Sequence, residues 1–273
     1  MALWKTEREI KYPIYPTRTW LEKIILKTGV GVARCVVCGS LAAIRPVEEN
    51  LRESCRCSRC SATNRQRQLA YVLCGAASSM TGRRVASLPE LARLDHLAVY
   101  NTEARGAVHG RLRAMKGYVC SEYFGDRYEP GALVNGVRHE DLQALSLEDG
   151  TIDLVLSSDV FEHIPEPYEA HAEVYRVLKP GGRHVFTVPF YQTEFLDEAR
   201  TGTDDEGNMV HLMEPQYHGD PIREEGALVH TIFSLEMLVE LRRIGFRPNL
   251  YHLYRPALGI VGPNAIVFEA IKD

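Results

Sequence analysis

Short apolar runs alternate with amphipathic stretches from about residue 95 to the end of the chain. The strongest run, Ile152-Asp-Leu-Val-Leu156, has the length and apolar character of a strand buried on both faces. A helical pattern over 168–178 ends at Lys179-Pro-Gly-Gly182, where a cation, a proline and glycines together favour a stop. Further strands are predicted at 97–100, 118–120, 136–138, 183–188, 251–253 and 265–270, and helices at 106–115 and 234–244. This alternation predicts an α/β fold, a doubly wound sheet with helices on both faces.

The pattern divides the chain into three parts. Residues 1–30 form a lead-in, and residues 31–80 hold a cysteine-rich segment followed by a helix predicted at about 64–74. Residues 95–273 form the α/β domain, within which 191–230 is acidic and irregular. We call this last stretch the acidic cover.

The cysteines are clustered. Five of the seven lie between Cys35 and Cys60, and four of these form two C-x2-C pairs separated by eighteen residues. Such pairs can place four thiolates in a tetrahedron around Zn²⁺, with no position left open for substrate. The sequence therefore predicts a structural zinc ribbon, and Cys55 competes for one ligand position. The predicted ligands are Cys35, Cys38, Cys57 and Cys60.

The net charge of −4 conceals an asymmetry. Residues 51–84 contain seven arginines and one acid, whereas 191–230 contains ten acids and two arginines. The first region favours a phosphate-bearing partner and the second repels one, although both also fit solvated surfaces. No apolar run reaches the roughly 18–20 residues of a membrane helix, and no secretory apolar core stands at the start. We therefore expect a cytoplasmic protein that does not bind membranes.

Two stretches, Asp153–Ile164 and Glu173–Gly182, carry a family resemblance. They resemble the fourth strand, the following helix and the approach to the fifth strand of class I S-adenosylmethionine-dependent methyltransferases, the type-11 group in particular. The resemblance extends over about 95–273 and leaves the cysteine segment outside. It implies a Rossmann-like sheet, S-adenosylmethionine as cofactor and methyl transfer as the reaction.

The resemblance also implies roles for individual residues. Glu122 holds the ribose hydroxyls, and Asp141 with Leu142 holds the adenine. Of the glycines in the family's first loop only Gly106 remains, and Glu103 in this loop either faces the cofactor's ammonium group or is exposed. The implied cofactor-binding residues are Asn101, Thr102, Glu103, Gly106, Glu122, Asp141, Leu142 and Ser158.

Histidines are the candidate catalytic residues, because an oxygen or nitrogen acceptor needs a base near neutral pH. His163 follows the fourth strand, and His211 and His218 lie in the acidic cover. Packing or simple exposure explains the same histidines equally well. No Asn-Pro-Pro-Tyr-like segment follows the fourth strand, which disfavours an exocyclic amino acceptor.

The leading hypothesis is therefore methylation of a small-molecule or saccharide-like acceptor at oxygen. One alternative is an RNA methyltransferase whose arginine-rich zinc ribbon holds RNA; the acidic cover opposes it. Another is a non-catalytic scaffold with the methyltransferase fold.

Overall fold

The computed structural model describes residues 31–45, 50–219, 226–262 and 265–273. The predicted lead-in at 1–30 lies outside these residues, as does part of the acidic cover. Within the described helices, none is both long and apolar enough to span a bilayer.

The elements are numbered in chain order. The helices are α1 (Asn64–Thr81), α2 (Leu88–Leu91), α3 (Gly106–Leu112), α4 (Pro167–Val177) and α5 (Leu235–Ile244). The first strands are β1 (Gly31–Arg34), β2 (Leu41–Arg45), β3 (Arg56–Cys57), β4 (Val99–Asn101), β5 (Tyr118–Glu122), β6 (Leu133–Val134), β7 (Val137–His139), β8 (Ile152–Ser158) and β9 (Leu178–Thr187). The remaining strands are β10 (Glu198–Ala199), β11 (Thr201–Thr203), β12 (Met209–His211), β13 (Tyr217–His218), β14 (Ala227–Leu228), β15 (Thr231–Ile232), β16 (Phe246–His252) and β17 (Ile266–Lys272).

Eight strands form the central sheet, in the order β16-β17-β9-β8-β4-β5-β7-β6. The pairs from β9 through β8, β4 and β5 to β7 are parallel, whereas β17 is antiparallel to both of its neighbours. The chain first adds β5 and β7 on one side of β4 and then returns to add β8 and β9 on the other side, so the sheet is doubly wound. This confirms the predicted fold class.

Successive residues of a strand point to opposite faces of the sheet, so a continuous apolar run places apolar side chains on both faces. Helices cover both of these faces. In β8, Leu154 and Leu156 pack in one core with α1, whereas Val155 packs in a second core with α4 and α5. Continuous apolar runs such as 152–156 are therefore buried on both sides, as predicted.

Strand β9 begins earlier than predicted. The segment Lys179-Pro-Gly-Gly182 ends helix α4 as expected, but it then forms a bulge within the strand. Ile152 pairs with Leu178, and Leu154 already pairs with Arg183. A Cβ atom on Gly182 would lie 2.7 Å from the Lys179 carbonyl oxygen, so this bulge requires glycine.

Helix α1 is longer than the sequence suggested and belongs to the sheet rather than to the cysteine segment alone. A capping box at Thr63 and Gln66 starts it, and Gly82 in the left-handed conformation ends it. Buried Ala76 and Ala77 extend its apolar side beyond Cys74 and pack it in the same core as the sheet. The cysteine segment, α1 and one face of the sheet therefore share one hydrophobic core.

A buried arginine joins the cysteine segment to the end of the chain. The Arg67 side chain is fully buried and donates hydrogen bonds of 2.7–3.1 Å to the carbonyl oxygens of Cys55, Ala62 and Gly259. Its guanidinium charge is therefore stabilised by carbonyl oxygens inside the protein. This arginine is not part of a basic surface.

A second junction centres on the carboxylate of Asp159, just after β8. Arg52 donates to both of its oxygens at 2.6 Å, Arg65 lies 3.4 Å away, and the Thr187 hydroxyl donates at 2.8 Å. Asp159 has φ 55°, which is uncommon outside glycine. Burial alone would raise its pKa, but the two arginines outweigh burial and hold the pKa well below its ordinary value.

The acidic cover is more ordered than predicted. Its described residues form three short antiparallel ladders, β10 with β15, β11 with β12 and β13 with β14. The backbone amide of His230 donates to the carbonyl of Glu162 at 2.7 Å, which fixes the cover to the segment after β8. The cover therefore folds over the carboxyl end of the sheet.

The Asp159 junction predicts a stability effect. Arg52→Ala leaves a largely buried carboxylate short of its main partner, so we expect the free energy of unfolding to fall by about 3 kcal/mol. Arg56→Ala removes an exposed arginine of the same segment and is expected to change it by less than about 0.5 kcal/mol. Urea unfolding of both variants checks this, and equal losses would contradict the assigned role of Asp159.

Candidate active site

A cleft of about 1340 Å³ lies at the carboxyl ends of the parallel strands. Thr102 and Glu103 follow β4, Glu122 ends β5, and Ser158 ends β8. Ligands bind at this edge in open α/β sheets, where the loops diverge on either side of the point at which the winding reverses. Residues from the cysteine segment and from the acidic cover complete the walls.

Six of the eight predicted cofactor-binding residues line this cleft. They come from four separate loops, which a sequence pattern alone does not bring together. These residues are Thr102, Glu103, Glu122, Asp141, Leu142 and Ser158.

Glu122 already holds the first loop. Its carboxylate accepts a hydrogen bond from the Ala104 amide at 3.0 Å and lies 3.4 Å from the Arg105 guanidinium. The buried Thr102 hydroxyl beside it has no hydrogen-bond partner among the described residues. Asp141 accepts from the Gln143 amide at 2.9 Å, which leaves one of its oxygens for the cleft.

Asn101 and Gly106 support the loop but do not line the cleft. The Asn101 amide donates to the Glu103 carbonyl at 2.7 Å and to the Tyr118 hydroxyl at 2.9 Å, and its oxygen accepts from the Glu103 amide at 3.3 Å. These bonds turn the chain after β4 in place of the missing glycines. Gly106, with φ 75°, begins helix α3.

Glu103 is held inside the cleft rather than in open solvent. Burial raises its pKa to about 7, and the nearby Arg65 opposes part of that rise. Glu103 is thus half-buried in the cleft wall, and its carboxylate remains accessible from the cleft. The carboxylate is placed to meet a cationic group.

The opposite end of the cleft is lined by His163 and His218, which come from the segment after β8 and from the acidic cover. Between them lies Glu162, whose side chain is fully buried. Its Oε1 is 3.6 Å from His163 Nε2 and 3.6 Å from His218 Nδ1. Burial raises the pKa of Glu162 to about 7, the Glu162 carboxylate raises the pKa of His218, and burial lowers that of His163.

The third predicted histidine lies elsewhere. His211 is exposed on β12, and the described residues that line the cleft do not include it. On β12 it lies opposite Thr201 of β11, whose hydroxyl is 2.7 Å from Nδ1 of the cleft residue His230, so His211 is near the cleft without lining it. His230 does line the cleft. Glu162, which directly precedes His163, is fully buried next to that histidine and is not itself part of the cleft wall. Sequence reasoning missed both residues.

The four predicted zinc ligands converge. Cys35 and Cys60 sulfurs are 3.8 Å apart, and Cys38 and Cys57 sulfurs are 3.9 Å apart. Zinc–sulfur bonds of about 2.3 Å in a tetrahedron give a sulfur–sulfur distance of about 3.8 Å, so the thiols fit Zn²⁺. Cys55 is buried but lies outside this group.

The two knuckles have the same local geometry. The Gly39 amide donates to the Cys35 carbonyl oxygen at 2.7 Å, and the Ser61 amide donates to the Cys57 carbonyl oxygen at 2.8 Å. Gly39 and Ser61 both adopt positive φ, at 73° and 59°. Each C-x2-C pair is therefore folded to present two sulfurs on one side.

Parts of this chain are similar to known methyltransferases. A family model described as a methyltransferase domain matches residues 120–186, which run from β5 through most of β9 and include Glu122, Asp141 and His163. The match supports an S-adenosylmethionine-dependent methyltransferase, as the sequence resemblance implied.

Individual relatives match over short segments. The uncharacterized 37.1 kDa protein in transposon TN4556 of Streptomyces fradiae is 42% identical over 57 residues, covering 21% of this chain and 16% of that protein. The arsenite methyltransferase of Aquipseudomonas alcaligenes is 38% identical over 82 residues, covering 29% and 23%. A solved S-adenosylmethionine-dependent methyltransferase from Mesorhizobium loti aligns with 64% of this chain and 90% of its own, at 17% identity and a TM-score of 0.40. This chain thus spans less than a quarter of the length of these two curated relatives.

The sulfur geometry predicts one zinc ion per chain at the cysteine site. Cys57→Ser combined with Cys60→Ser removes half of the ligand set, so the purified variant is expected to lose the metal. Cys55→Ser is the matched control, since Cys55 is a buried cysteine of the same segment outside the sulfur cluster. Elemental analysis measures both, and metal loss in Cys55→Ser with retention in the double variant would overturn the assignment.

Proposed function

We propose that the protein transfers a methyl group from S-adenosylmethionine to a hydroxyl oxygen of a small-molecule or saccharide-like acceptor. The observation that carries the proposal is the convergence of the six predicted cofactor residues with His163 and His218 on one cleft. Its volume exceeds the roughly 300–1,000 Å³ of an ordinary small-molecule pocket, which leaves room for cofactor and acceptor together.

Residues at one end are assigned to the cofactor. Glu122 accepts from the ribose hydroxyls, because a carboxylate has two oxygens for two adjacent donors. Asp141 and Leu142 hold the adenine, and Glu103 meets the ammonium group of the methionine moiety. The free Thr102 hydroxyl supplies a further hydrogen bond at the same wall.

Residues at the other end are assigned to the acceptor. When bound, S-adenosylmethionine supplies a methyl group on a sulfonium sulfur, which an oxygen displaces in line. Such a displacement depends largely on alignment and proximity, which the acidic cover provides by closing this end of the cleft. His163 and His218 activate the acceptor hydroxyl, while His211 is not assigned a role.

The cysteine site is assigned to structure. Cys35, Cys38, Cys57 and Cys60 would hold Zn²⁺ with four thiolates and no open position, so the ion would fix the fold of the segment that carries Arg52 and Arg65. Both arginines line the cleft. The zinc ribbon would thus stabilise the position of two residues in the wall of the cleft.

The RNA alternative draws less support. Of the seven arginines in 51–84, Arg67 is buried and Arg52 and Arg65 are engaged by Asp159 and Glu53. The exposed ones are Arg56, Arg59, Arg83 and Arg84. The basic surface is therefore smaller than the sequence suggested, and acidic residues cover the cleft.

Glu122→Ala is expected to weaken S-adenosylmethionine binding by roughly ten- to a hundredfold, because buried ribose hydroxyls lose their acceptor, a penalty of about 1–3 kcal/mol. Glu122→Gln keeps one acceptor oxygen and is expected to lose less. Glu129→Ala, an exposed carboxylate after the same strand, is the control. Calorimetric titration measures all three, and no binding by the zinc-loaded wild type would favour the scaffold alternative.

The raised pKa of Glu103 predicts that S-adenosylmethionine binding depends on pH. Its raised pKa of about 7 means that the carboxylate is largely protonated at lower pH and cannot attract an ammonium group. Affinity for S-adenosylmethionine is expected to rise by about eightfold from about pH 6 to pH 7.5 as the group ionises. In Glu103→Gln this rise disappears, and affinity at the higher pH falls. A wild-type profile that is flat over the same range would remove Glu103 from the site.

A further inference from the structure

Three side chains at the acceptor end of the cleft face one another without hydrogen bonds between them. One donor atom from each of Glu162, His163 and His218 lies within 4.8 Å of the other two. The two nitrogens are each 3.6 Å from Glu162 Oε1, which is too long for a hydrogen bond of normal length. Both oxygens of this fully buried carboxylate lack a hydrogen-bond partner in the part of the chain that the structure describes.

The tautomer of His163 sharpens this observation. Its Nδ1 is 2.7 Å from the carbonyl oxygen of Leu228, and a carbonyl only accepts, so Nδ1 carries a proton and donates. In the neutral ring, Nε2 therefore presents a lone pair toward the Glu162 carboxylate. A lone pair and an ionised buried carboxylate repel each other unless a proton or a metal cation lies between them.

The spacing suits a metal ion. Bonds of about 2.1 Å place neighbouring ligand atoms about 3.0 Å apart in an octahedron and about 3.4 Å apart in a tetrahedron. The observed 3.6 Å exceeds the tetrahedral value by about 0.2 Å and the octahedral value by about 0.6 Å. Two imidazoles and a carboxylate form a recurrent ligand set for first-row divalent ions, and the Leu228 carbonyl orients the ligating ring as such sites require.

We propose that Glu162, His163 and His218 bind a divalent first-row transition-metal ion at the acceptor end of the cleft. This site is separate from the cysteine site in position and in ligand chemistry. His163 and His218 both line the cleft, so the remaining coordination positions face it.

The ion would bind the acceptor itself, a step that rests on the proposed methyl transfer. A hydroxyl oxygen on a divalent ion loses its proton more readily, and its position toward the cofactor is fixed. The oxygen lone pair forms the new bond to the methyl carbon, the carbon–sulfur electron pair leaves with sulfur, and the hydroxyl proton passes to solvent. The acceptor class is then a compound with a hydroxyl and a neighbouring oxygen that chelate together, such as a vicinal diol.

Mn²⁺ is the probe, because it prefers carboxylate and imidazole ligands over the four thiolates of the cysteine site. The experiment titrates the full-length, zinc-loaded protein with Mn²⁺ and follows the free ion by electron paramagnetic resonance. We expect one Mn²⁺ per chain. Glu162→Gln and His218→Ala should each weaken binding by more than about tenfold, since even residues that only support a metal ligand contribute about 10–100-fold.

His211→Ala is the matched control, because it removes an exposed histidine of the same cover outside the cleft, and its Mn²⁺ affinity should equal that of the wild type. Zinc content reports whether each variant retains its fold. Absence of Mn²⁺ binding in the wild type, or unchanged affinity in both ligand variants, overturns the metal site. Calorimetry with S-adenosylmethionine on the same samples distinguishes that result from failure of the proposed function.

Discussion

The carboxylate of Asp159 is the point on which the cleft depends. It lies directly after the central strand β8, and it is held by Arg52 from the cysteine segment, by Arg65 from helix α1 and by Thr187 from β9. Removing one partner of a largely buried ion pair leaves an uncompensated charge, so the junction depends on all of its partners. The cysteine segment, helix α1 and the central sheet are therefore joined electrostatically, although they are far apart in sequence.

The same logic explains the two ends of the cleft. At the cofactor end, Glu122 already accepts from the Ala104 amide, so the loop is shaped before any ligand arrives. At the acceptor end, neither oxygen of the buried Glu162 carboxylate has a hydrogen-bond partner among the described residues, and His163 and His218 beside it come from two separate segments. Glu122 thus has a hydrogen-bond partner before any ligand binds, whereas Glu162 has none in the part of the chain that the structure describes. This contrast is expected between a binding pocket that is already formed and a site that a cation completes.

Periodicity and local motifs were sufficient to predict seven of the eight strands of the central sheet, the helix that ends at Lys179-Pro-Gly-Gly182 and the four cysteines that converge, because each depends on neighbours in sequence. The direction in which a charged side chain points does not. Arg67 and Arg56 look alike in sequence, yet one is buried on three carbonyl groups and the other is exposed. Asn101 replaces the turn-forming glycines through bonds that require the Tyr118 hydroxyl of the next strand. Such roles depend on tertiary partners, which a single sequence does not identify.

The bonds from α1 to the C-terminal part of the chain bear on how the protein is made. Arg67 donates to the carbonyl of Gly259, and the Asn64 amide donates to the carbonyl of Val261 at 2.6 Å. Both partners are nearly two hundred residues downstream. During synthesis, the cysteine segment and the start of α1 leave the ribosome long before residues 259–261, so Arg67 and Asn64 can form these bonds only after almost the whole chain has followed. The contacts that bury this early segment are thus among the last to be completed.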